Sequence, residues 1–365
     1  MPNMISACFN AVKLGFSSLT FLNAPDARSL YTNQVNLNKQ LKIFLNWFIG
    51  PVLFVWLAFS IYKQVSEQRD LQSSWQHIVD TVVGGQWKWL LLVFGLMFVN
   101  WGLEARKWQL LMQAIEPIRF WRAYRAIFTG QSFALNTVNR VGEYLGRMVY
   151  LQEGNRLRSI ALSVAGSFSQ LIVTMLLGLL SLVYLRLSIL DETHHLQGLS
   201  VFWLDGLMYG LSVGITVCLI LYYKLSLITK LVEKIPIVTR FSFFIDKLED
   251  LHWKELTRIL SLSLSRYLVF IVQYLIMLHV FEVDVRMLDG AAVIGVMFLV
   301  LAIVPTIALA ELGLRGKVSL QLIGLLSTNQ VGIIATAAGI WLINLVIPAL
   351  AGSIFILGIR LFKKV

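Results

Sequence analysis

Two short stretches hold the residues best suited to chemistry. Asn139-Arg-Val-Gly-Glu-Tyr-Leu-Gly-Arg147 and Leu309-Ala-Glu-Leu-Gly-Leu-Arg315 each set a glutamate and an arginine four residues apart, in surroundings that are otherwise almost wholly apolar. On a helix this spacing puts Glu143 with Arg147, and Glu311 with Arg315, on one face, where each pair can neutralise itself. Ionisable groups in an apolar setting cost several kcal/mol unless paired or wet, so the couples ask for a reason. A guanidinium grips phosphate bidentately. The functional reading is therefore that Arg147 and Arg315 hold an anionic headgroup, with Glu143 and Glu311 orienting them. Arg140, inside the first motif, and Arg266, deep in a later apolar run, are further headgroup candidates. The plainer alternative is that each pair only locks its own hairpin.

The elements that must position these residues are membrane helices. With 57% hydrophobic and 14% charged residues, and a mean hydropathy of +0.73, the 365-residue chain has too little polar surface for a water-soluble fold. The net charge of +11 comes from short basic clusters between apolar runs, which orient loops toward the cytoplasm and do not form a nucleic-acid patch. Cys8 and Cys218 lie in unrelated apolar settings and suggest neither a disulfide nor a thiolate site. Asp191-Glu192-Thr-His194-His195 has metal-ligand types but reads as a solvated loop. No metal or cofactor is expected.

Residues 1–40 read as a loosely held cytoplasmic extension and 41–365 as a single transmembrane domain. Spans are expected at Leu41 to Tyr62, Trp87 to Leu103, Ser159 to Leu185, Leu204 to Tyr223, Leu256 to Phe281 and Val331 to Ile359. Basic flanks place both termini in the cytoplasm of the cell (inner) membrane. Ala126 to Val138 is too short to cross and has positive flanks on both sides, so it predicts a re-entrant element. Gly290 to Thr328, stopped at Pro305, predicts a second one, dipping from outside. The expected breaks use glycines 142, 146, 313 and 316 and Pro305. Lys224 to Glu255 reads as an interfacial cytoplasmic loop, amphipathic around Arg240 to Leu251.

The motifs lie 168 residues apart, and the same shift carries the span at Trp87 onto that at Leu256 and the span at Ser159 onto the last one. Units of about 87–185 and 256–359 thus run in opposite directions. The expected fold is all-α and polytopic, about six full spans plus two re-entrant helical hairpins related as an inverted repeat. Secondary transporters use that pattern to put a substrate site at the bilayer midplane.

At Asn139 to Arg147, and again at Val304-Pro-Thr-Ile-Ala-Leu-Ala-Glu-Leu-Gly-Leu-Arg315, the chain resembles the signature segments of the lysylphosphatidylglycerol synthase transmembrane, or flippase-like, family. The resemblance covers roughly residues 41 to 360. It implies a relative of the lipid-flipping half of the multiple peptide resistance factor, with re-entrant helices and a lipid cavity. The family's usual Pro-Gly-Gly type turn before the second glutamate is Leu309-Ala310 here. No aminoacyltransferase domain is expected, and with it no synthase activity.

The expected function is translocation or binding of a membrane phospholipid or polyprenyl-phosphate lipid, with no nucleic-acid partner and self-association left open. With no P-loop, movement would be passive or ion-coupled, Glu143 or Glu311 carrying a proton. An integral-membrane transferase using Glu143 as base, and a non-transporting scaffold docking through Lys224 to Glu255, are the alternatives. Gln170, Gln273 and Tyr274 read as groups bonding neighbouring helices, and Ala335 to Gly339 as a close-packing run. Glu104, Arg106 and Lys107 read as interface anchors more than headgroup contacts.

Overall fold

The computed structural model describes residue 59, residues 86–135, 137, 140–190, 201–224, 251–304 and 308–357. The expected first span, the N-terminal extension, Asp191 to His195, Pro305 and the amphipathic stretch around Arg240 to Leu251 lie outside the described residues, apart from Phe59 and Leu251. Among those described, regular structure is all helical: α1 Trp87–Met112, α2 Phe120–Ala134, α3 Gly142–Met148, α4 Arg156–Ser188, α5 Val201–Tyr223, α6 Trp253–Val280, α7 Met287–Ile303, α8 Ala308–Ile323, α9 Gln330–Trp341 and α10 Ile347–Leu357. Five stretches are long and apolar enough to cross a bilayer: Trp87–Met112, Glu153–Ser188, Leu204–Tyr223, Trp253–Val280 and Gln330–Ile356.

Local signals explain the boundaries. His252 and Glu255 form a reciprocal capping box that starts α6. The side chain of Asn329 accepts from the Gly332 amide to start α9. Pro348 has no amide hydrogen to give back along the helix, and the stretch before it, Leu342–Val346, widens into a π-turn that joins α9 to α10.

The two short hairpins are α2–α3 and α7–α8. With 15 residues, α2 is about 22 Å long, and with 17, α7 is about 25 Å. Both fall short of a hydrocarbon core of about 30 Å. In the first hairpin the backbones touch. A Cβ placed on Gly146 would lie 2.7 Å from the Cα of Gly130 and 2.8 Å from the Thr129 carbonyl oxygen. Thr137 secures the corner, accepting from the Gly142 amide at 2.8 Å and donating to the Phe133 and Ala134 carbonyls. The first arm of each hairpin then packs on a helix distant in sequence, α2 on α10 and α7 on α4. Ser132 Oγ donates to the Ala349 carbonyl at 2.6 Å, and Gly178 of α4 sits against Leu299 of α7.

Three sequence expectations need correction. The helix begun at Trp87 does not stop at Leu103 but continues to Met112, because Ala105, Trp108, Leu111 and Met112 extend its apolar face into the core. The short element expected from Ala126 to Val138 begins earlier, at Phe120, and its helix ends at Ala134. Glycines 146, 313 and 316 break nothing, while Gly142 opens α3 at the corner. Gly142 and Gly146 weld α3 to α2, Gly313 and Gly316 lie within α8 with open space beside them, and the first arms end at Ala134 and Ile303.

Candidate functional site

The buried charges converge on Glu104, halfway down the second half of α1. Its carboxylate receives Lys107 Nζ at 2.8 Å, Arg266 Nη1 at 2.8 Å and Arg147 Nη2 at 3.0 Å. Helices α1, α3 and α6 therefore meet at one anion. Arg147, whose side chain is 3% exposed, is also paired with Glu143 one turn back on α3. Arg266 donates through Nε to Asn100 at 2.8 Å, and its guanidinium lies over the Trp101 ring, 4.9 Å from the centroid. An isolated ion here would cost several kcal/mol, and only this density of donors and acceptors makes burial tolerable.

The second couple is assembled alike. Arg315 Nη2 meets Glu311 at 2.7 Å, and its Nη1 donates to Tyr274 Oη at 2.8 Å. Each motif arginine thus reaches a long helix, Arg147 α1 and Arg315 α6. Arg140 joins the two. It stands 4.0 Å from Glu143, donates to Gln131, and lies close enough to Glu311 and Arg315 for their charges to act on it. Its backbone is left-handed, with φ 60°, a conformation costing a non-glycine residue about 1–2 kcal/mol.

Five cations, Lys107, Arg140, Arg147, Arg266 and Arg315, therefore face three carboxylates, Glu104, Glu143 and Glu311, a surplus of two positive charges. The hydrogen-bond ledger leans the same way. The buried nitrogens Asn100 Nδ2, Trp101 Nε1, Gln131 Nε2, Arg147 Nε and Arg315 Nε have no partner among the described residues. The unpaired amide oxygens belong to Gln86, Gln170, Gln273 and Asn344, none of them a member of these ion pairs, and Trp341 Nε1 is a further unpaired donor. A site with spare positive charge and spare N–H groups suits an oxygen-rich anion.

All six sequence candidates, Glu143, Arg147, Glu311, Arg315, Arg140 and Arg266, lie in this constellation. The reading of Glu104 and Lys107 as interface anchors is wrong, since they are 4% and 2% exposed once α1 runs on past them; Arg106 remains on the surface, bonded to Gln109. A signal was present: Asn100, Glu104 and Lys107 fall at i, i+4 and i+7, one stripe of one helix. The repeat could not reveal it, because position 272, 168 beyond Glu104, is Val. Tyr274 and Gln273 both bond neighbouring helices as read, Tyr274 accepting from Arg315 of α8 and Gln273 donating to the Val93 carbonyl of α1. Among the described residues no group of three His, Cys, Asp or Glu side chains is placed to hold a metal.

Long apolar helices around a buried ionic centre define a multi-pass membrane protein. Residues 43–352 match the family described as the lysylphosphatidylglycerol synthase TM region, and the chain belongs to that family of integral membrane proteins involved in lipid handling. Comparison with curated proteins found no match.

Proposed function

We propose that the protein binds an anionic membrane lipid, a phospholipid or a polyprenyl-phosphate lipid, by its phosphate and passes it between the leaflets of the cell membrane. The observation that carries this reading is the double surplus in the constellation, of positive charge and of unpaired N–H donors. A phosphodiester answers one excess charge and a phosphomonoester up to two. Arg140, 37% exposed, and Arg315, 14% exposed, are the guanidinium groups a headgroup meets first. Arg147 acts from behind, pinned between Glu104 and Glu143, and Arg266 ties α6 to α1 across the same centre.

Movement between leaflets is supported by the recurrence of the helices. Shifted by 168, α1, α2 and α3 fall on α6, α7 and α8 to within two residues at their N-terminal ends, and α4 falls on the stretch that closes with α10. Two such units of opposite direction, with both termini inside, rock about a fixed midplane site. The transferase reading is weakened because Glu143, its base, is already ion-paired to Arg147.

The test is Arg315→Ala in proteoliposomes containing labelled phosphatidylglycerol. Losing a charged hydrogen bond worth about 1.5–3 kcal/mol slows transfer roughly 10- to 100-fold, with folding checked by monodispersity in detergent. Unchanged transfer by a folded variant contradicts the reading.

A further inference from the structure

The two surplus positive charges of the centre belong to two groups of residues. Around the carboxylates of Glu104 and Glu143 stand three cations, Lys107, Arg147 and Arg266. Around Glu311 stand Arg315, in direct contact, and Arg140, whose charge reaches it. Each group keeps one unanswered charge. The spare donors divide in the same way, Arg147 Nε in the first group and Arg315 Nε in the second. Beside Arg140 lies Gln131, 1% exposed in the last turn of α2. Its side-chain oxygen accepts from Arg140, and its Nε2 has no partner among the described residues.

A lipid phosphate is either a diester or a monoester. The diester carries a single charge. The monoester has three terminal oxygens and, above a second pKa of about 6, close to two charges. An unanswered charge in an apolar setting is expensive, so the headgroup that suits the centre is the one whose charge equals the surplus. Only the monoester does so, and its third oxygen adds acceptor capacity where N–H groups are spare.

We infer that the lipid this centre takes ends in a phosphate monoester, as phosphatidic acid and the polyprenyl phosphates do, and that Gln131 sets the preference by being neutral. A glutamate at that position would pair with Arg140 and lower the surplus from two to one. The inference rests on the lipid-phosphate reading above and narrows it to one class of headgroup.

The test uses the full chain in phosphatidylcholine vesicles carrying labelled phosphatidic acid or labelled phosphatidylglycerol, with the rate in protein-free vesicles subtracted. At about pH 8, where the monoester is doubly charged, the wild type should move phosphatidic acid at least about tenfold faster, the worth of one charged contact. At about pH 5 the monoester regains a proton, and the preference should shrink. The protein's own groups act with the opposite sign. Those at the centre are Glu104 and Lys107 on α1, Glu143, Tyr144 and Arg147 on α3, Arg266 and Tyr274 on α6, Glu311 and Arg315 on α8, and Arg140 at the corner, while α2 brings the neutral Gln131. A proton taken up by any of them adds to the surplus and would sharpen the preference for the dianion, so a preference that shrinks in acid reports the ligand.

Gln131→Glu should lose most of the preference at about pH 8 while still moving phosphatidylglycerol. Inorganic phosphate, the same anion without a tail, should not slow lipid transfer. Equal wild-type rates for the two lipids, a faster diester, or an undiminished preference in folded Gln131→Glu protein overturns the monoester assignment and leaves the lipid-phosphate reading standing. Competition by inorganic phosphate would give the centre to the free anion and overturn both, as would the absence of any transfer or binding of either lipid. If Gln131→Glu fails to fold, the wild-type rate ratio and its change in acid decide alone.

Discussion

Glu104 is the residue on which the buried charges depend, because one carboxylate balances Lys107, Arg147 and Arg266 together. Replacing it with Gln leaves three cations around a neutral amide, and breaking such a buried pair costs about 3–5 kcal/mol. Thermal unfolding in detergent should show Glu104→Gln strongly destabilised. Glu104→Gln with Lys107→Met should lose less than the two changes summed, by about 1–3 kcal/mol of coupling; strict additivity would mean the two groups do not share the centre. Arg140 separates stability from function in the other direction. Its left-handed backbone suits glycine, so Arg140→Gly should hold or raise the unfolding temperature while slowing lipid transfer. A variant that transfers at the wild-type rate would remove Arg140 from the site. At this scale the sequence displayed the motif pairs plainly, since a four-residue Glu–Arg spacing in apolar surroundings needs no tertiary knowledge. It concealed Glu104, because a charged Glu-Ala-Arg-Lys run looks like the water-facing end of a span until a neighbouring helix covers it.

At the scale of the element, glycine does two different jobs in hairpins that resemble each other. In α2–α3, Gly130 and Gly146 let two backbones meet; in α8, Gly313 and Gly316 face open space. Gly146→Ala must push the arms apart against backbone atoms, a cost of about 1–3 kcal/mol, visible as a lower unfolding temperature. Gly313→Ala meets nothing and should be neutral or gain up to about 1 kcal/mol from helix propensity. If both behaved alike, the close approach of α2 and α3 would be wrong. Hydropathy fixed the existence and shortness of both hairpins, because too few apolar residues separate the polar flanks to cross a bilayer. It could not place the turns, since a glycine used for contact and a glycine used to break a helix are the same letter.

At the scale of the molecule, the starts of α1, α2 and α3 shifted by 168 fall within two residues of those of α6, α7 and α8, and α2 packs on α10 as α7 packs on α4. Arg140 lies within reach of both motif couples, Glu143 with Arg147 and Glu311 with Arg315. An impermeant thiol reagent should label a cysteine at Thr328 from outside intact cells; protection there would remove the opposed orientation of the units. The central claim, that a cation-rich centre selects a lipid by the negative charge of its headgroup, is tested most directly by comparing transfer of labelled phosphatidylglycerol and phosphatidylcholine. Wild-type protein and the Arg140→Gln, Arg315→Gln double variant would be measured side by side in the same vesicles. The wild type should move the anionic lipid at least about tenfold faster, the worth of one charged contact, and the double variant should lose that preference. Equal rates for both lipids in the wild type, or an undiminished preference in a folded double variant, would contradict it.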